Sequence, residues 1–234
     1  RSTDHIAGID LDATLNDLLQ QPRFKAALQF KASKLEPIIP DFIGQANGAI
    51  QLAGNLEQQH IKSQIELLTQ DYGTLNSATE LTLDGQVLQI KQAQITTPKG
   101  AQIALNGHYQ LQPATLQLRA DWQNLRWPLN QQPAQINIDQ GMLTLNGPLD
   151  GYSYELQTQL HPSASTLPLQ IQSRGTGSTQ GLAQMLTQIS QAPSQLTIDG
   201  SVQWAPQLAL NWQLRGRDID PAPIAADFSG ALNL

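Results

Sequence analysis

GMLTLNGPL, residues 141–149, alternates apolar Leu143 and Leu145 with polar Thr144 and Asn146, then reaches an Asn-Gly pair. That is the period of a half-buried β-strand, with a pair that tolerates positive φ and favours a tight turn. GAIQLAGNL, residues 48–56, says nearly the same thing, and GALNL repeats its opening at residues 230–234. The leading glycines, Gly48, Gly141 and Gly230, recur roughly every 90 residues, longer than the usual solenoid repeats of about 20–50. A Pro-containing segment precedes each: Leu35-Glu36-Pro37, Leu125-Arg126-Trp127-Pro128 and Ile219-Asp220-Pro221. Units of this kind stack, because one alone cannot bury its apolar side.

The alternation runs through most of the chain. It places Ile50, Leu52, Ile65, Leu67, Leu81, Leu83, Leu88, Ile90, Ile103 and Leu105 on one side of successive strands. Leu116, Leu118, Leu143, Leu145, Leu196, Ile198, Leu208 and Leu210 continue the series. Turn signals stand at Asp84-Gly85, Pro98-Lys99-Gly100, Asn106-Gly107, Asn146-Gly147, Asp150-Gly151 and Asp199-Gly200. The reading is an all-β chain: a long antiparallel meander with one apolar face, treated as a single segment over 1–234. Its repeats fall at about 35–124, 125–218 and, in part, 219–234. Two stretches, 35–42 and 219–228, carry the i, i+3, i+4, i+7 spacing of short helices. GLAQMLTQI, residues 181–189, reads equally as a short helix or an irregular strand.

Composition excludes several classes. Net charge is -6, with no basic stripe for nucleic acid or an anionic bilayer surface. Cysteine is absent, which removes disulfides and thiolate metal sites. No apolar run reaches the roughly 18 residues of a spanning helix. The N-terminal RSTDHIAGIDLD lacks a signal-peptide profile, and the chain reads as a piece of something longer. RGTGSTQG, 174–181, lacks phosphate-loop spacing and reads as a flexible polar loop. Asp10 with Asp12, and Asp218 with Asp220, fit a strand's solvent face better than a metal site. The four histidines are dispersed, and no GxSxG elbow occurs. No enzyme, metal or cofactor is expected. The aliphatic face has two readings: an ordinary core under a second sheet, or an open trough with a Leu and Ile floor.

The phrases FKASKLEPIIPDFIGQANGAIQLAGNL, LRADWQNLRWPL with QGMLTLNGPLDGYSYELQTQL, and GSVQWAPQLALNWQLRGRDIDP resemble the TamB family of the AsmA-like superfamily. The resemblance runs from about residue 8 to the end and implies an internal fragment. It implies a periplasmic β-structure curled into a taco-like apolar groove, in a parent protein anchored in the inner membrane of a Gram-negative bacterium. It further implies phospholipid movement between inner and outer membranes. The alternative it carries is outer-membrane protein and autotransporter assembly with an Omp85-type partner, TamA. The segment itself is expected to be a monomer whose partner is phospholipid acyl chains. A surface adhesin built on a β-solenoid fits less well, since calcium-binding repeats are missing.

Overall fold

A computed structural model describes residues 8–17, 19, 21–32, 44–69, 73–127, 134–163 and 167–218. Fourteen strands and no helix occur among them. The two stretches read as short helices, 35–42 and 219–228, lie outside the described residues. The chain divides into two compact units, residues 1–112 and 113–234.

The first unit holds β1 (Gly8–Asn16), β2 (Arg23–Ala32), β3 (Gly44–Asn55), β4 (Gln58–Thr69), β5 (Gly73–Asp84), β6 (Val87–Thr96) and β7 (Gln102–Gln110). The second holds β8 (Thr115–Trp127), β9 (Ile136–Pro148), β10 (Tyr152–Pro162), β11 (Leu169–Ser178), β12 (Gly181–Gln191), β13 (Ser194–Gln203) and β14 (Ala209–Arg217). Within each unit every strand pairs antiparallel with its neighbours in sequence, giving an open meander. The all-β antiparallel fold is the one the alternation predicts.

Three of the six turn signals do make turns, at Asp84-Gly85, Pro98–Gly100 and Asp150-Gly151. The other three lie inside strands: Asn106-Gly107 in β7, Asn146-Gly147 in β9 and Asp199-Gly200 in β13. The segment 174–181 is no loop either. Residues 174–178 belong to β11, and only Thr179 and Gln180 form the turn into β12.

Glycine has a different task in these strands. Phe24 faces Gly54, Phe30 faces Gly48, Trp122 faces Gly141, Tyr152 faces Gly177, Tyr154 faces Gly175 and Trp212 faces Gly200. A Cβ on Gly48 would stand 2.8 Å from Phe30 Cζ, and one on Gly177 would stand 2.8 Å from the Tyr152 ring. At Gly48, Gly141, Gly175 and Gly177 the glycine leaves room for the ring of the neighbouring strand, which covers backbone that has no side chain of its own. The repeated phrase is thereby explained locally. Gly48 and Gly141 each open a strand face beneath an aromatic from the preceding strand.

The undecided segment 181–191 is a strand with a bulge. Leu182 pairs with Val202 and Met185 with Gly200, so one extra residue is taken up between them. The three-residue step from Leu182 to Met185 imitates a helical period, yet the bulge returns both to one face. Lys91 in β6 and Asp139 in β9 are the extra residues of two further bulges.

Candidate functional site: an uncovered aliphatic face

Cross-strand partners share a face, so register decides which side chains stand together. In the first unit, the ladders join Leu11, Leu28, Ile50, Ser63, Thr79, Ala93 and Leu105 in one row. Leu52, Ile61, Leu81, Ile90 and Gly107 form the next. Ile65 and Leu67 fall on the same side of β4, Leu83 pairs with Leu88, and Ile95 pairs with Ile103. In the second unit, Leu118, Leu145 and Tyr154 form one row, and Ala120, Leu143, Leu156, Ser173, Thr187, Ile198 and Leu214 another. Leu116 lies on the same side of β8 as Leu118; Leu196 pairs with Ile189, and Leu210 with Val202.

Of the eighteen aliphatic positions drawn from the sequence, seventeen therefore lie on the apolar face of their unit. Leu208 precedes β14 and belongs to no strand. Periodicity alone missed Ile95, because the Lys91 bulge changes parity midway along β6. It also left out the uncharged polar members of the face: Ser63, Thr79, Tyr154, Ser173 and Thr187.

Among the described strand residues, no charged side chain joins either apolar face. Asp10, Asp12, Lys25, Lys62, Glu80 and Asp84 sit on the opposite side in the first unit. Arg119, Asp121, Glu155, Arg174 and Asp199 do so in the second. There Glu80 lies 3.3 Å from Lys62 Nζ and 3.4 Å from Lys91 Nζ, and hydrogen bonds from these lysines hold its carboxyl below the usual range. Arg119 grips Asp121 with two bonds of 2.8 and 2.7 Å, which raises the guanidinium further. Asp139 receives His161 Nδ1 at 2.8 Å. A hollow of about 670 Å³ also opens on this polar side, among Thr144, Asn146, Glu155, Arg174, Gln184 and Asp199. Ionic walls make it a poor place for hydrocarbon.

Among the described residues, no layer covers the apolar face within either unit. All substantial strand contacts are between ladder neighbours. Among described hydrophobics only Ala46, Ala101, Leu116 and Tyr154 are buried, and no side chain is completely enclosed. Ile9, Leu11, Ile95, Ile103, Trp212 and Leu214 are exposed outright. Of the two readings of the aliphatic alternation, the second sheet does not appear among the described residues of either unit. An apolar surface of this extent is rarely left in water without a use.

The second unit's face carries hydrogen-bonded pins. Trp122, flat over Gly141, donates from Nε1 to Thr158 Oγ1 at 3.3 Å; that hydroxyl donates to the Gln140 carbonyl at 3.0 Å. Tyr154, over Gly175, meets Ser173 Oγ at 3.2 Å, and Ser173 Oγ meets Thr187 Oγ1 at 2.8 Å. Burial pushes the Tyr154 phenol above its ordinary value, against the smaller downward pull of its bond to Ser173. The folded chain thus keeps a proton that the unfolded chain loses near about pH 10. The resulting stability is complete below that pH and declines as pH rises through the folded value. Denaturant unfolding at a series of alkaline pH values should show wild type losing stability relative to Tyr154→Phe. A gap that stays constant with pH contradicts this.

Fold and face together define a β-ladder module: among the described residues, antiparallel strands with one aliphatic, uncharged side and no layer over it. A model of the TamB N-terminal domain matches residues 80–234, more than half of the chain, and the chain belongs to the TamB family. No curated protein and no solved structure matches. The family is AsmA-like and associated with the cell envelope, where its domains serve transport or assembly. Among the described residues, no helix is long and apolar enough to cross a membrane, and no group of acidic, histidine or cysteine side chains could hold a metal.

Proposed function

We propose that this chain is a segment of a periplasmic conduit that shields phospholipid acyl chains as they pass between the inner and outer membranes. The observation that carries the reading is the aliphatic face that, among the described residues, holds no charge and has no layer over it in either unit. Withdrawing a chain of about 16 carbons from water is worth on the order of 10 kcal/mol. A floor of Leu and Ile supplies this without fixing the chain at one point, so cargo can slide. Headgroups stay in water. The resemblance adds an Omp85-type outer-membrane partner reached through other parts of the parent protein.

Assembly of outer-membrane proteins is the rival use, in which an unpaired strand edge templates an incoming strand. A photo-activatable residue at Leu83 in the full-length protein separates the two in cells. Phospholipid adducts support the conduit. Adducts with unfolded outer-membrane proteins, and none with lipid, overturn it.

A further inference from the structure

The three hydroxyls on the floor of the second unit do not balance. Tyr154, Ser173 and Thr187 carry one O–H each, and the two bonds joining them use two of the three protons. One proton is always left over. Thr158 offers the contrast: its hydroxyl accepts from Trp122 and donates to Gln140, so its donor is spent.

The geometry fixes where the spare proton goes. Tyr154 and Ser173 are 7% and 8% exposed, whereas Thr187 is only half-buried. Either oxygen of each pair can donate, and the order that leaves no unspent donor on the two buried hydroxyls runs from the phenol, the most acidic of the three, to Ser173 and from Ser173 to Thr187. Each bond polarises the next, strengthening the terminal donor. That order leaves Thr187 Oγ1–H as the unspent donor, on a half-buried side chain of the apolar face.

Apart from Ser173, the neighbours of this donor on the face are apolar. Thr187 stands in register between Ser173 and Ile198, with Met185 and Ile189 beside it on β12. Leu156 lies beyond Ser173 in the same row. No charged group of the described strands shares the face, so a phosphate would find one hydroxyl and no cation there. A fatty ester differs: its junction brings a neutral acceptor directly against hydrocarbon. We propose that the Tyr154–Ser173–Thr187 chain is a subsite for the ester carbonyl of a diacyl lipid. It rests on the reading of the face as an acyl path and adds a registration point to an otherwise featureless floor.

Calorimetric titration of the chain with dihexanoyl phosphatidylcholine, and with its dihexyl ether analogue, tests this. Both carry the same headgroup and similar chains, but only the diester has carbonyls. One neutral hydrogen bond predicts that the diester binds about fivefold more tightly. Thr187→Val, which keeps the branched shape, should erase that preference, and Thr187→Ser should retain it. Circular dichroism checks that each variant is folded; should the valine variant not fold, Tyr154→Phe, which breaks the chain at its far end, takes its place and should weaken the preference. Equal binding of both lipids by the native chain overturns the subsite and leaves the acyl path standing. A preference that survives Thr187→Val overturns it likewise. Binding of neither lipid removes the acyl path and the subsite together.

Discussion

Replacing Gly175 by alanine should destabilise the second unit by about 3 kcal/mol, the upper range for forced overpacking. The added Cβ would meet the backbone carbonyl of Gln184 on β12 and, at 3.0 Å, Cε1 of Tyr154. A flexible side chain could swing aside, but a ladder carbonyl moves only if β11 and β12 part. The displaced tyrosine would also lose Ser173. Gly151→Ala is the comparison, since its Cβ would find nothing nearer than Pro148 Cγ at 3.9 Å. That variant should stay within about 0.5 kcal/mol of wild type. Urea unfolding measures both, and equal losses would contradict the role given to glycine under the aromatic rings.

Leu145→Asp should lower phospholipid delivery by the full-length protein by on the order of tenfold or more, as a carboxylate is placed against acyl chains that offer it no partner. Leu145 stands in register between Leu118 and Tyr154 on the uncharged face. Thr144→Asp, one residue away, should leave delivery near wild type. Its side chain rises on the opposite face between Arg119 and Glu155, where charge is already accommodated. Pulse–chase of newly made phospholipid into the outer membrane is the readout, with protein level followed in parallel. Similar losses in both variants, at equal protein level, would contradict the face assignment.

Strand identity and facing were legible in the sequence because period two is written in side chains such as Ile61, Ser63, Ile65 and Leu67. Parity changes were not. The bulges at Lys91, Asp139 and around Ala183 depend on how many residues the partner strands present, which no single segment states. The same limit misplaced Asn146-Gly147 and Asp199-Gly200. An Asn-Gly or Asp-Gly pair signals a turn by its own conformational freedom, while Gly200 is required by the backbone of Asn211 on the next strand, which a Cβ would strike. RGTGSTQG reads as a loop for want of one fact, that Tyr152 and Tyr154 lie over Gly177 and Gly175. The hydroxyl chain was hidden for a similar reason. Tyr154, Ser173 and Thr187 come from three strands, and only register brings them together.

The central claim is that one face of the sheet carries acyl chains and the other does not. Site-specific photo-crosslinking in cells, stepping a probe through residues 142–146 of β9, tests it most directly. The account predicts phospholipid adducts at Leu143 and Leu145 and none at Met142, Thr144 or Asn146, a period of two that only a face can impose. Lipid adducts at all five positions, or at none of them, would contradict it.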